Sequence, residues 1–150
     1  MNKTSRLRLP GLAIASLLLL GGCGTQPAAD SSTRFVAHLA AAHEVPAVVS
    51  AATGHLEASL TPGSHVLTWK LSYWGLSGAV TGAHFHGPAM AGQNAGVVIP
   101  MTGPLASPIT GTATLTAGQV TELTKGNWYV NLHTAANPGG ETRGQVGIRP

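Results

Sequence analysis

Apolar and polar residues alternate with a period of two over most of the chain that follows residue 33. In residues 54–60, for example, Leu56, Ala58 and Leu60 alternate with polar residues. Successive side chains of a β-strand point to opposite faces, so this pattern predicts half-buried strands. Similar short segments occur at residues 35–39, 65–74, 95–101, 109–115, 128–133 and 142–148.

Glycine and proline separate these segments, as expected for turns between short strands. After residue 23, no window of ten or more residues has the apolar stripe of an amphipathic helix. The chain has 150 residues, enough for one domain. We therefore predict a single all-β domain with about eight short strands, arranged as an antiparallel sandwich or barrel.

The N-terminal segment has a different pattern. Lys3, Arg6 and Arg8 precede an apolar run at residues 9–20. A basic start followed by a short apolar run is typical of a signal peptide, and the run is shorter than the roughly 20 residues of a membrane-spanning helix. We assign residues 1–22 to a signal peptide that directs export to the cell envelope.

The end of this segment, Leu20-Gly21-Gly22-Cys23, resembles the bacterial lipobox, which implies that Cys23 is lipidated. The resemblance predicts a lipid anchor in a bacterial membrane, on its periplasmic or extracellular face. Residues 23–33 are then the lipidated cysteine and a flexible tether, and residues 34–150 are the domain. The alternative is an ordinary signal peptide cleaved near Ala28 or Ala29, with Cys23 removed.

The net charge of the chain indicates little about the function of the predicted domain, because of where the charged residues lie. The chain has 8 Lys and Arg residues against 5 Asp and Glu residues, a net charge of +3. Three of the cations belong to the predicted signal peptide, so the remaining chain is neutral. No basic face remains to indicate nucleic acid as a partner. A phosphate-binding loop of the Gly-rich, Lys-containing kind is also absent from the sequence, so no nucleotide partner is predicted.

Histidine is the residue most able to carry chemistry here. The chain has 7 histidines, and His84 and His86 lie two residues apart around Phe85. On a strand, these two imidazoles share the face opposite Phe85. In residues 127–134, Trp128, Val130 and Leu132 form an apolar face and His133 belongs to the other.

Three neutral imidazoles that leave one coordination position open are suitable ligands for copper, zinc or iron. Imidazole alone does not select one of these metals. Met90, four residues after His86, is a candidate thioether ligand for copper(I). The alternative is that the histidines are solvated surface residues whose clustering is accidental. For Glu141 and Arg143, we expect a structural ion pair or a turn hydrogen bond and not a catalytic role.

Several motifs, in order along the chain, resemble the chordin-type domain known as CHRD. They are His43-Glu44-Val45-Pro46, Gly75-Leu76-Ser77-Gly78, residues 80–88 (VTGAHFHGP), residues 126–134 (GNWYVNLHT) and residues 140–145 (GETRGQ). The family usually has Asn or Gln where this chain has His43. The resemblance covers nearly the whole domain and implies an extracellular binding or scaffolding unit.

A fainter resemblance is to the copper/zinc superoxide dismutases, in which a Gly-Leu turn leads into a His-x-His strand. It implies a Greek-key sandwich or flattened barrel in which His84, His86 and His133 match copper ligands and Arg143 matches an anion-guiding arginine. No histidine lies between His86 and His133 to bridge a second metal, and the Asp-containing zinc loop is missing. The resemblance therefore implies a single copper ion and disfavours zinc.

These observations lead to three hypotheses. The first is a lipid-anchored envelope protein that binds one copper ion for sequestration, or for delivery to other envelope copper proteins. The second is a copper-dependent enzyme resembling superoxide dismutase, in which Arg143 attracts the anionic substrate. The third is a metal-free extracellular interaction module.

Overall fold

The computed structural model describes residue 1 and residues 31–150. The predicted signal peptide beyond residue 1, Cys23 and the tether up to residue 30 lie outside the described residues. Among the described residues, no helix is long and apolar enough to cross a membrane.

Eight strands form one antiparallel sheet, which confirms the predicted all-β fold. Their bounds are β1 Thr33–Ala40, β2 Thr53–Thr61, β3 Val66–Trp74, β4 Val80–His86, β5 Val97–Pro100, β6 Ile109–Thr114, β7 Trp128–Thr134 and β8 Thr142–Ile148. The strand order is β5-β4-β7-β8-β1-β2-β3-β6. Strand β8 lies beside β1 of the β1-β2-β3 meander, so the last strand of the chain pairs with the first.

The sheet curls on itself so that its two ends share one core. Trp69 in β3 and Phe85 in β4 lie near opposite ends of the strand order, yet their ring centroids are 5.4 Å apart in an edge-to-face contact. Phe85 also lies 6.0 Å from the Trp128 ring of β7. The result is a nearly closed barrel filled by the inward-facing apolar residues of each strand.

One short helix, α1 Ala117–Thr124, joins β6 to β7 and was not predicted. It is shorter than the ten-residue window in which a helical stripe was sought. Its sequence signal is the pair Thr116 and Gln119, which form a capping box at its first turn. Leu123 is fully buried and attaches the helix to the barrel.

Gly144 is required where β8 approaches β1. A Cβ atom at this position would lie 2.5 Å from the carbonyl oxygen of His38. We expect Gly144→Ala to lower the free energy of unfolding by about 2 kcal/mol, because backbone atoms cannot move aside without disturbing the sheet. Gly147→Ala, in the same strand, is the matched control because no heavy atom lies within 4 Å of its Cβ position. Equal denaturation midpoints for the two variants would contradict this prediction.

Candidate metal centre

Strands β4 and β7 are neighbours, and their register brings the three predicted histidines together. Gly82 is opposite His133, and His84 is opposite Asn131. His133 is thus the diagonal neighbour of His84, and His86 follows His84 on the same face. One nitrogen from each of the three rings lies within 4.8 Å of the others.

The cluster is close to the size of a metal site. Nδ1 of His84 is 3.1 Å from Nε2 of His133. Two nitrogens that share one metal at bonds of about 2.0–2.1 Å lie no more than about 4.2 Å apart. The widest separation in the cluster, 4.8 Å, therefore has to close by at least about 0.6 Å, through side-chain rotation, for one metal to bind all three rings.

Backbone carbonyls orient two of the three rings. Nδ1 of His86 lies 2.9 Å from the carbonyl oxygen of Ala95, and Nδ1 of His133 lies 2.9 Å from that of Pro138. A carbonyl oxygen can only accept, so each Nδ1 carries the hydrogen and each Nε2 keeps its lone pair. Metal-ligating histidines have this arrangement, in which the second ring nitrogen donates to a carbonyl or carboxylate.

The Nε2 atom of His86 shows that these residues fit a metal ion. It is buried and has no hydrogen-bond partner in the part of the chain that the structure describes. A buried polar atom without a partner costs free energy, commonly about 1–3 kcal/mol, unless something binds it. Nε2 of His133 also lies 3.1 Å from Oδ1 of Asn131, so acceptor atoms are concentrated at this point. A metal ion held by the three rings would satisfy the unpartnered lone pair of His86.

Electrostatics favours the neutral form of His84. Burial lowers its pKa below the usual value of 6.5, and the neighbouring His133 and His86 lower it further. A metal binds only the deprotonated imidazole nitrogen, so a lowered pKa reduces competition from protons.

Gly82 provides the space in which the His84 ring lies. A Cβ atom at Gly82 would be 3.1 Å from Cε1 of His84 and 3.6 Å from Cδ2 of His133. Sequence reasoning did not single out this glycine. Its position two residues before His84, on the same face, is the signal that could have identified it.

The face that carries the histidines is covered, which the alternation did not predict. His86 is 8% exposed, while Tyr129 and Asn131 on the same face of β7 are 3% and 2% exposed. The Tyr129 ring stacks on His86 at 4.8 Å with an angle of 4°. We call residues 87–96 the cover segment, because Ala95 in this segment binds both His86 and the Tyr129 hydroxyl.

Side chains of β8 hold the cover segment in place. Gln145 donates to the carbonyl oxygen of Ala89 at 2.9 Å. Arg143 donates to the carbonyl oxygen of Gln93 at 3.1 Å and to Oδ1 of Asn94 at 2.7 Å. The position of the Ala95 carbonyl therefore depends on residues far from it in sequence.

Arg143 lies within this network as a structural residue. Its Nε donates to Oε2 of Glu44 at 2.6 Å, and its guanidinium carbon lies 4.3 Å from the Tyr129 ring centroid. Arg143 and Glu44 are each 5% exposed. The ion-pair interpretation is correct for Arg143, with Glu44 rather than Glu141 as its partner. Glu44 compensates its charge, so these contacts do not favour the predicted anion-guiding role.

Met90, the candidate thioether ligand, is 67% exposed within the cover segment. Its backbone N–H donates to the Gln93 side chain at 3.3 Å. These contacts are those of an exposed loop residue. The role of Met90 as a metal ligand stays a prediction.

Glu141 is a fully buried carboxylate beside the metal centre. Ser50, Ser77 and Thr134 donate to it through their hydroxyl groups at 2.6–2.7 Å, and the Ser77 N–H donates at 2.8 Å. Burial raises its pKa, but these hydrogen bonds outweigh that effect and lower the pKa from 4.5 to about 2. The prediction of a structural hydrogen bond at Glu141 agrees with this arrangement, which fixes Thr134 next to His133.

Acid unfolding tests the role of Glu141. Its pKa is lower in the folded state, so its contribution to stability is present above about pH 4.5 and is lost as the pH falls towards 2. We expect Glu141→Gln to lower the free energy of unfolding at pH 7 by about 3 kcal/mol and to flatten its decline below pH 4.5. Glu57→Gln is the control, because the side chain of Glu57 is 55% exposed. The same pH profile in the wild type and Glu141→Gln would refute this interpretation.

The fold and the site together define an all-β domain with a three-histidine centre on the outside of its barrel. Among protein-family models, the CHRD domain model matches residues 35–146. The chain therefore belongs to the CHRD-domain family. No curated protein and no solved structure matches the chain.

Proposed function

We propose that this protein is a metal-binding protein of the cell envelope, and that His84, His86 and His133 hold one copper ion. The buried Nε2 of His86 carries the proposal, because its Nδ1 is committed to Ala95 and its lone pair has no partner in the described part of the chain. Burial without a partner is costly for stability, whereas a metal ligand needs a free lone pair of this kind.

Copper is favoured over zinc for two reasons. An all-imidazole site binds copper more strongly than the other divalent first-row metals, according to the usual order of affinities. The sequence also resembles the copper ligands of superoxide dismutases, but has no counterpart of their zinc loop. When bound, copper supplies a Lewis acid that can change between two oxidation states.

The proposed role is sequestration of copper, or its delivery to other copper proteins of the envelope. His84 and His133 are partly exposed while His86 is buried, so the centre has one open side. An open side allows a ligand from a partner to reach the metal. The cover segment fixes the closed side through Ala95.

Copper titration of the purified protein tests the site. We expect one tight copper(II) ion per chain, and an affinity more than about 100-fold lower for His84→Ala/His86→Ala, since two of the three ligands are lost. His65→Asn is the matched control. It removes a histidine at a turn residue with a φ of 55°, a conformation that Asn tolerates. Calorimetry with copper and with zinc separates the two metals.

The outcomes of this titration discriminate among the three hypotheses. Equal copper affinity in the wild type and the double variant would exclude the site. Purified native protein without stoichiometric metal would favour a metal-free interaction module instead. Copper-loaded protein with dismutase activity above a free-copper control would favour the enzymatic alternative.

We propose that acylation of Cys23 attaches the domain to a bacterial membrane. The Leu20-Gly21-Gly22-Cys23 motif supports this, and β1 begins at Thr33, which leaves about ten residues as a tether. We expect Cys23→Ser to move the protein from the membrane fraction to the soluble fraction, with Ser31→Ala as a control that stays attached. A mature chain that begins near residue 29, as determined by mass spectrometry, would contradict the anchor.

A further inference from the structure

Two other histidines face each other on the outer surface of the barrel. His38 in β1 and His55 in β2 are directly opposite in the register of the two strands. Their ring centroids are 4.9 Å apart and their planes are tilted by 38°. His38 is exposed, and the side chain of His55 is 36% exposed. The CHRD match and the three-histidine centre leave this pair without a role.

The spacing of the two rings is compatible with two imidazoles bound to one metal ion. A bond of about 2.0 Å places a ring centroid about 3.1 Å from the metal, so two ligands at about 90–110° have centroids roughly 4.4–5.1 Å apart. The separation of 4.9 Å falls in this range and equals that of His84 and His133 in the metal centre.

The ring nitrogens of this pair are available for a ligand. Within the described residues, neither ring makes a hydrogen bond, and the polar neighbour of His55 is Oε1 of Glu57 at 4.0 Å from Nε2. Glu57 is two residues after His55 on the same strand face, so its carboxylate adds negative charge beside the pair. Arg149 lies 3.7 Å from the same oxygen on its other side.

The pair is aligned with the metal centre across the sheet. Val36 is opposite Gly147 and Ala40 is opposite Arg143, so His38 is level with Gln145. Gln145 is opposite Tyr129, which is opposite His86. His38 and His86 are therefore three strands apart, about 14 Å at the usual strand spacing. A groove of about 480 Å³ borders His38, and His43, Arg143 and Gln145 are among its other lining residues.

We propose that His38 and His55 form a second, solvent-exposed metal site, which binds copper(II) through two imidazoles, with water completing the coordination. Imidazole suits divalent copper, and two protein ligands at an exposed position make this site weaker than the three-histidine centre. The site does not depend on the proposed function, because it shares no ligand with that centre. If both sites bind, one face of the barrel carries two copper ions.

The test uses copper(II) and a background that lacks the first centre. We expect His84→Ala/His86→Ala to retain one weaker copper(II) ion per chain in calorimetry. Adding His55→Ala to this background should lower the remaining affinity by roughly 100-fold, because the second imidazole of a pair binds at a high effective concentration. Adding His65→Asn instead, as the matched control, should leave it unchanged. Unchanged affinity after loss of His55 would overturn the proposal.

A spectroscopic measurement on the same background shows which residues bind. Copper(II) is paramagnetic, so at less than one equivalent it should broaden the ring signals of His38 and His55 before those of His43 and His65. Equal broadening of all surface histidines would also overturn the proposal. The two proposals fail separately. A wild-type titration without a tight step refutes the three-histidine centre, and a titration of His84→Ala/His86→Ala without a weak step refutes the His38 and His55 site.

Discussion

The antiparallel pairing of β4 with β7 is the constraint on which the metal centre depends. It fixes which residues of the two strands share a face and which are diagonal neighbours. A slip of one residue would turn His133 towards the core and place Leu132 on the outer face. The inward residues of the same two strands, Phe85, Val130 and Leu132, are fully buried, so the core enforces the register that the site needs. Packing inside the barrel and coordination outside it are therefore two consequences of one alignment.

The cover segment orients His86 through the Ala95 carbonyl, and the position of this segment depends on a buried ion pair. Arg143 binds Glu44 and two residues of the cover segment at the same time. Removing one member of a buried ion pair commonly costs about 3–5 kcal/mol, because the other charge stays buried without a partner. The pair thus holds the segment whose Ala95 carbonyl sets the tautomer of His86. Arg143 matches an anion-guiding arginine in the resemblance to dismutases; its contacts here are with Glu44 and the cover segment, and the guiding role stays a prediction.

Local patterns in the sequence predicted the strands and the outward face of His84, His86 and His133. These features repeat within a few residues, so alternation is sufficient to find them. The convergence of the three rings depends on the register of β4 and β7, and the sequence indicated it only through the resemblance to the copper ligands of dismutases. The cover over Tyr129 and Asn131 could not be predicted in this way, because alternation indicates a face and not what lies above it. The partner of Arg143 is 99 residues away in the sequence, and the His38 and His55 pair depends on the register of two strands. Helix α1 was missed because its eight residues bury one anchor, Leu123, instead of a repeating stripe.

The scarcity of charge explains why histidine carries the chemistry of this surface. Only 9% of the chain is charged, and two of its carboxylates, Glu44 and Glu141, are already bound by Arg143 and by hydroxyl groups. In the described part of the chain, the possible metal ligands that converge are three histidines. No Asp, Glu or Cys side chain belongs to this group. Calcium and magnesium require oxygen ligands, whereas imidazole suits copper, zinc and iron. Backbone carbonyls, which carry no net charge, orient the ligands where a carboxylate often does so. A metal held by this cluster would therefore be selected through ligand chemistry and not through charge, and this selectivity would follow from the composition of the domain.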